Sequence, residues 1–129
     1  MAQVPIVRVG QVLLATVQED LRDQDALDLQ VKLGDALERT GARGVLIDMS
    51  VVETVDSFLG RLLNETATGA RLLGAQTVVV GIQPAVAITL VELGLELKGV
   101  RTALDADKGM ALLRRLIARE DGHGFSPSR

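Results

Sequence analysis

The chain has 129 residues and a formal net charge of −3; 47% of the residues are hydrophobic and 24% are charged. This length allows one domain around one core, and the composition is that of a folded globular protein. The mildly acidic balance provides no general attraction to nucleic acid or to an anionic membrane, and the absence of cysteine excludes disulfides, thiolate nucleophiles and cysteine-based metal sites.

The first part of the chain is predicted to form two strands and a helix. Residues 6–9 and 12–17 are short apolar, β-branched runs separated by a glycine, which favours two strands joined by a tight connection. From Asp23 the apolar period becomes helical. Asp23 or Asp25 is the candidate cap at the start of this helix, and Gly41 suits the left-handed position just past its end.

The middle of the chain is predicted to hold two buried strands on either side of an amphipathic helix. Residues 45–49 and 77–81 are the two apolar strand segments. In residues 58–73, apolar and polar side chains recur with the period of a helix, and Gly74 marks the end of this segment. The apolar side of this helix comprises Leu59, Leu62, Leu63, Thr66, Ala70 and Leu73.

The last third is predicted to add a helix, a weaker strand over residues 100–104, and a final helix capped by Asp105. Pro84 suits the first turn of the earlier helix. The inward side of that helix is expected to carry Val86, Leu90 and Leu93. The apolar face of the final helix comprises Met110, Leu113, Leu116 and Ile117. Residues 120–129 contain Gly, Ser and Pro, which favours a disordered tail.

The alternation of strands and helices predicts an α/β fold: a single domain over residues 1–119, with a mostly parallel β-sheet covered by about four α-helices. The first five residues lack the regions of a signal peptide. The longest apolar stretch, residues 84–95, contains Thr89, Glu92 and Gly94 and is too short and too polar to span a bilayer. We therefore expect a cytoplasmic protein with neither a membrane nor a nucleic acid as partner.

Residues that usually carry catalysis are scarce in this chain. His123 is the only histidine, and a single histidine with scattered carboxylates does not form a metal or nucleophile cluster. Residues 94–99 begin like a phosphate loop but lack its Gly-Lys-Ser/Thr ending. Asp48 and Asp56 could act as an acid–base pair, yet local capping explains both carboxylates. We expect no enzyme activity, no metal and no cofactor.

One constellation remains, in residues 48–58. A strand ends at Asp48 and a helix begins near Ser57. A hydroxyl at a helix N-terminus is exposed beside free backbone N–H groups, which would hold a phosphate placed there. A helix cap formed by Ser57 or Asp56 needs the same position, and the residues alone favour the cap.

Four segments share a pattern with a known family: Val45-Leu-Ile-Asp-Met-Ser, Val55-Asp-Ser-Phe, Leu72-Leu-Gly-Ala-Gln and Val80-Gly-Ile-Gln-Pro-Ala-Val-Ala-Ile-Thr-Leu-Val-Glu-Leu-Gly. Over residues 5–116 the chain resembles the STAS family of anti-sigma-factor antagonists. Within that family it is similar to the RsbS-type antagonists, the single-domain subunits of the stressosome. Residues 120–129 fall outside the similarity.

This resemblance implies a partner-switching mechanism in which the family's phosphorylated serine corresponds to Ser57. The unmodified antagonist would hold a serine/threonine switch kinase, in an assembly formed by self-association and with sensor-bearing STAS paralogues. Phosphorylation would release the kinase, and a separate phosphatase would reset the serine. The expected partner-binding residues are Asp48, Asp56, Ser57, Phe58 and Arg61. Asp23 stands where the sensor-bearing paralogues carry a second phosphorylatable threonine, which indicates a single-site antagonist.

The sequence also leaves a second class of function open. The chain could be a non-switching STAS scaffold or a small-ligand-binding STAS domain, in which Ser57 is only a helix cap. A phosphate located on Ser57 after incubation with the kinase and ATP would separate the two hypotheses.

Overall fold

The structure, a computed structural model, describes residues 4–19, 21–95, 97 and 99–124. Strands and helices alternate along these residues, as the apolar periods predict. The strands are β1 (Ile6–Val9), β2 (Val12–Thr16), β3 (Gly44–Asp48), β4 (Gln76–Val80) and β5 (Arg101–Ala103). The helices are α1 (Asp23–Thr40), α2 (Ser57–Leu72), α3 (Pro84–Glu92) and α4 (Ala106–Gly124).

The five strands form one sheet in the order β1-β2-β3-β4-β5. β1 is antiparallel to β2 across a tight connection, whereas β2, β3, β4 and β5 are parallel neighbours. The prediction of a mostly parallel α/β sheet is therefore confirmed. Because parallel strands end at the same edge, the connections that leave β2, β3 and β4 gather at the carboxyl edge of the sheet.

The sheet buries apolar side chains on both faces, because successive residues of a strand point to opposite sides. On β3, Val45 and Ile47 belong to a large cluster that includes buried residues of α1, α2 and α3. Leu46 belongs to a smaller cluster that includes Leu113 and Leu116 of α4. Helices thus cover both faces of the sheet, with α4 on the side opposite α1 and α2.

Two apolar positions differ from the predicted helix faces. Leu93 is 45% exposed rather than inward, and Leu73 is 52% exposed. Each follows the last residue of its helix and is the C-cap of α3 or α2. The helical stripe that predicts burial no longer applies once the backbone leaves the helix, which is why both side chains stay near the surface.

The predicted helix ends are partly as expected. Gly41 has a φ of 68° and donates its N–H to the carbonyl of Leu37, which closes α1 as predicted. The N-cap of α1 is Arg22 rather than Asp23 or Asp25, although the Asp25 carboxylate accepts a hydrogen bond from the Arg22 N–H. The two candidate caps lie one and three residues past the observed N-cap, and Asp25 contributes to the cap only as a hydrogen-bond acceptor.

The last helix extends beyond the expected boundary at residue 119. α4 continues to Gly124, so residues 120–124 are helical where a disordered tail was predicted. The side chain of Gln76 donates to Glu120 at 3.0 Å, and Arg43 forms an ion pair with Asp121 at 2.5 Å. These contacts tie the end of α4 to the amino ends of β3 and β4. Residues 125–129 lie outside the described residues.

Candidate functional site

The candidate site is the β3–α2 loop (residues 49–56) together with the first turn of α2. The loop leaves the sheet directly after Asp48, whose carboxylate accepts a hydrogen bond from the Ser50 N–H at 2.9 Å. The Met49 N–H donates to the Val80 carbonyl at 2.9 Å, which extends the pairing of β3 with β4 by one step. Asp48, one of the predicted partner-binding residues, therefore helps to fix the conformation of the loop that follows it.

A glycine next to β4 allows the loop to lie against the sheet edge. Gly81 has a φ of +75°, and a Cβ on Gly81 would lie 2.9 Å from Cβ and 3.0 Å from Cα of Ser50. Only a residue without a side chain fits both constraints. The Gln83 side-chain amide then donates to the Ser50 carbonyl at 2.8 Å. The backbone at Gly81 and the side chain of Gln83, both just after β4, thus fix the first part of the loop.

The second part of the loop is held by the connection between β2 and α1. The Glu53 N–H donates to a carboxylate oxygen of Glu19 at 2.8 Å. Both residues are exposed, so this contact lies at the molecular surface beside α2. Glu19, Gly81 and Gln83 were not among the predicted site residues. The last two fall within a segment that carries the family resemblance, whereas Glu19 has no signal in the sequence.

The start of α2 separates the capping residue from the candidate phosphorylation site. Asp56 is the N-cap, and its carboxylate accepts the Leu59 N–H at 2.9 Å. Ser57 is the first helical residue and is partly exposed. Within the described part of the chain, no acceptor bonds the N–H groups of Ser57 and Phe58. The capping function belongs to Asp56, and Ser57 presents its hydroxyl beside two available backbone donors.

The two remaining predicted residues lie on the first turns of α2. Phe58 is partly buried and packs against the large core cluster, so it anchors the turn as well as contributing to the surface. Arg61 is exposed and stands four residues after Ser57, which places both on one face of the helix. The structure therefore brings all five predicted residues, Asp48, Asp56, Ser57, Phe58 and Arg61, to one region of the carboxyl edge.

A shallow groove of about 260 Å³ adjoins this region, between the start of α1 and the β3–α2 loop. Its lining includes Arg22, Thr54, Asp56 and Phe58. Glu53 and Asp56 are exposed and Asp48 is half-buried, so these three carboxylates outnumber the guanidinium groups of Arg22 and Arg61. The arrangement can present a hydroxyl to an enzyme that recognises this surface, and it would change charge sharply on phosphorylation.

Groups that carry catalysis do not converge on this region. Across the described ranges, no cluster of three or more His, Cys, Asp or Glu side chains could hold a metal ion. His123 lies in the last turn of α4, near the amino ends of the strands and at the opposite end of the sheet from Ser57. Among the helices described, none is long and apolar enough to cross a membrane.

Comparison with known proteins finds similarity over most of the chain. The family described as "STAS domain" matches residues 3–107. A structure of a serine-to-glutamate variant of Moorella thermoacetica RsbS is 39% identical, with a TM-score of 0.79 over 91% of this chain and 99% of that one. A chain of a structure described as the molecular architecture of the stressosome, a signal integration and transduction hub, is 41% identical, with a TM-score of 0.77 over 88% and 98% of the two chains.

Curated relatives resemble this chain over a part of their length. The RsbT co-antagonist protein RsbRA of Bacillus subtilis is 36% identical over 76 residues, which are 59% of this chain and 28% of that protein. RsbRD of the same organism is 33% identical over 67 residues, 52% of this chain and 24% of that protein. This chain therefore spans about a quarter of the length of the curated co-antagonists that it matches.

Proposed function

Because this chain belongs to the STAS domain family, and its full-length structural relatives are RsbS and a stressosome component, we propose that it is an RsbS-type antagonist that sequesters a serine/threonine switch kinase. In this proposal the kinase phosphorylates Ser57 and then leaves. The observation that carries the proposal is the position of Ser57. It is the first residue of α2 and is partly exposed, its N–H and that of Phe58 bond no acceptor among the described residues, and Asp56 supplies the cap.

The physical basis of release is a change of charge on a surface that the kinase covers. A phosphate on Ser57 adds about −1.5 to −2 charges at neutral pH. The helix end and Arg61 would favour it, whereas the carboxylates of Asp48, Glu53 and Asp56 oppose it. The fold should gain little from this balance. The kinase, by contrast, would have to bury the new charge, and a cost of about 3 kcal/mol would weaken the complex roughly a hundredfold.

Further partners follow from the same proposal. The similarity to RsbRA and RsbRD supports co-assembly with a sensor-bearing STAS paralogue, together with self-association of this chain. A separate phosphatase would reset Ser57, and the cycle would take place in the cytoplasm. Light scattering of the purified chain should show at least a dimer, and a far larger particle with the paralogue; a monomer under both conditions would contradict the assembly.

Phosphate mapping tests the proposed site directly. The chain is incubated with its cognate serine/threonine kinase and ATP, and the phosphate is located by mass spectrometry. We expect phosphate on Ser57, none in Ser57→Ala, and unchanged incorporation in the matched variants Ser50→Ala and Thr54→Ala, whose hydroxyls lie in the adjoining loop. Incorporation that persists in Ser57→Ala would show that the switch residue is elsewhere.

Binding measurements test the consequence of the modification. Titration calorimetry should show that Ser57→Ala binds the kinase as tightly as the unmodified chain, whereas Ser57→Asp binds it weakly. Circular dichroism controls for folding of both variants. Equal affinity of the two variants would contradict the release mechanism, and absence of binding by the unmodified chain would contradict kinase sequestration itself.

A further inference from the structure

A groove between α1 and α2 has no function in the proposed switch. It encloses about 310 Å³, within the size range of small-molecule sites. It is lined from α2 by residues between Glu65 and Leu73, and its floor includes Val45 at the start of β3. Glu65 follows Ser57 by eight residues along the helix, about 12 Å at 1.5 Å per residue. The groove is therefore separate from the candidate phosphorylation site.

The walls of the groove are apolar and leave room for a ligand. The apolar lining is formed by Leu33, Leu37, Val45, Ala70 and Leu73. Two glycines face the same space, Gly34 on α1 and Gly69 on α2, and a Cβ added at either would meet no atom within 4 Å. Close packing of the helices therefore does not explain these glycines. Their effect is to widen the groove.

A threonine hydroxyl opens onto the groove. Thr66 lines the groove and is only 8% exposed. The other helical threonines, Thr40, Thr68 and Thr89, each donate to the carbonyl four residues earlier, at 2.6, 2.9 and 3.0 Å. Among the described residues no such bond, or any other, is made by the Thr66 hydroxyl. The Thr66 oxygen is not among the fully buried side-chain oxygens that lack a partner, so water can reach it, and a ligand in the groove could take the place of that water.

The charge of the groove selects the chemistry of the ligand. Among the described residues that line the groove, Glu65 alone is charged. Its carboxylate accepts a hydrogen bond from the Gln30 side chain at 3.5 Å, a length at which the bond is weak and readily replaced. Carboxylate, amide and hydroxyl oxygens next to an apolar floor suit a compact ligand that carries hydrogen-bond donors and a positive charge.

We propose that this groove binds a small amphipathic amine, with its ammonium group at Glu65 and Thr66 and its apolar body between Gly34 and Gly69. The ammonium supplies up to three donors, which the Glu65 carboxylate, the Thr66 hydroxyl and the Gln30 carbonyl can accept. An aromatic or branched aliphatic body fits the volume and the apolar walls. An amine bound here would lie apart from the surface around Ser57 that is proposed to bind the kinase.

The probe for this proposal is phenethylamine, with 3-phenylpropionate as a body of similar size and opposite charge. Each is titrated into ¹⁵N-labelled full chain, and amide chemical shifts are followed. Phenethylamine should shift amides in residues 30–37 and 65–73 in a saturable manner. The propionate should bind about tenfold more weakly or not at all, because it places a carboxylate against Glu65. Equal binding of the two probes, or shifts spread elsewhere, would overturn the proposal.

Three variants locate the site. Gly69→Leu should abolish binding by filling the groove, and it should fold because its Cβ enters open space. Glu65→Gln should weaken phenethylamine binding about tenfold, whereas Glu38→Gln, an exposed site on α1 outside the lining, should leave it unchanged. Thr66→Val should weaken binding while leaving the fold intact. Unchanged affinity in Gly69→Leu, or shifts of the same amides on simple dilution of the protein, would show that the groove is not an amine site or is covered by a second copy.

Discussion

The backbone N–H of Glu53 donates a 2.8 Å hydrogen bond to the carboxylate of Glu19, across 34 residues of sequence. This bond connects the segment between β2 and α1 to the loop that presents Ser57. Its acceptor is an ionised carboxylate, which makes it stronger than a bond between neutral groups. The loop is therefore positioned from two sides, by Glu19 at Glu53 and by Asp48 and Gln83 at Ser50.

Replacing Glu19 with alanine should loosen the loop locally. We expect faster hydrogen exchange at the Glu53 amide and a loss of unfolding free energy of about 1 kcal/mol or less, because the bond is exposed to water. Glu19→Gln retains a side-chain oxygen that can accept the bond, and should exchange at nearly the original rate. The measurement is amide exchange by NMR. Identical exchange at Glu53 in the alanine variant and the original chain would show that Glu19 does not hold the loop.

Asp56 and Ser57 should respond differently to alanine substitution, because only Asp56 caps α2. Asp56→Ala should cost about 0.5–2 kcal/mol of unfolding free energy, whereas Asp56→Asn keeps the cap and should cost less. Ser57→Ala should change stability by no more than about 0.5 kcal/mol, as for ordinary surface positions. Urea unfolding monitored by circular dichroism gives all three values. A large loss in Ser57→Ala would assign the capping function to Ser57 instead.

Gly81→Ala should disturb the loop beside Ser57 through the backbone. The positive φ disfavours alanine, and the added Cβ would collide with Ser50. Together these effects should cost about 1–3 kcal/mol of stability. We expect changed amide shifts in residues 49–56 in the NMR spectrum. Gly41→Ala has a similar positive φ but open space around its Cβ, so it isolates the backbone cost and should leave the loop spectrum unchanged.

Gly109→Ala should destabilise the packing of α4 on the sheet. A Cβ there would contact the side chains of Val80 and Leu46 at less than normal van der Waals separation, and both are almost fully buried. Overpacking of this kind costs about 1–3 kcal/mol. Gly122→Ala, on the same helix with no atom within 4 Å of the added Cβ, is the matched control and should be neutral or slightly stabilising. Thermal unfolding distinguishes the pair, and equal midpoints would contradict the close approach of α4.

Local pattern was sufficient for the order of strands and helices and for the position of Ser57 near a helix start. These predictions depend only on a few neighbouring residues at a time. The structure agrees with two of them: Gly41 is left-handed at the end of α1, and the Asp105 carboxylate accepts the Lys108 N–H at the start of α4. The same local pattern failed at Leu93, which it assigned to the core, and at residues 120–124, where composition favoured a tail. Contacts with Arg43 and Gln76 are what hold that last stretch of helix.

The sequence by itself determined the α/β alternation, the apolar strands and the family resemblance that points to Ser57. Tertiary structure alone decided which residues hold the loop and where a groove opens between α1 and α2. The pairing of Thr16 with Asp48 in neighbouring parallel strands carries the chain after β2 alongside the chain after β3, so that Glu19 reaches Glu53. Helical period already placed Thr66 on the apolar side of α2, but the groove beside it forms only where α1 packs against α2. Contacts between distant residues depend on strand register and helix rotation, and these are set when the whole core packs.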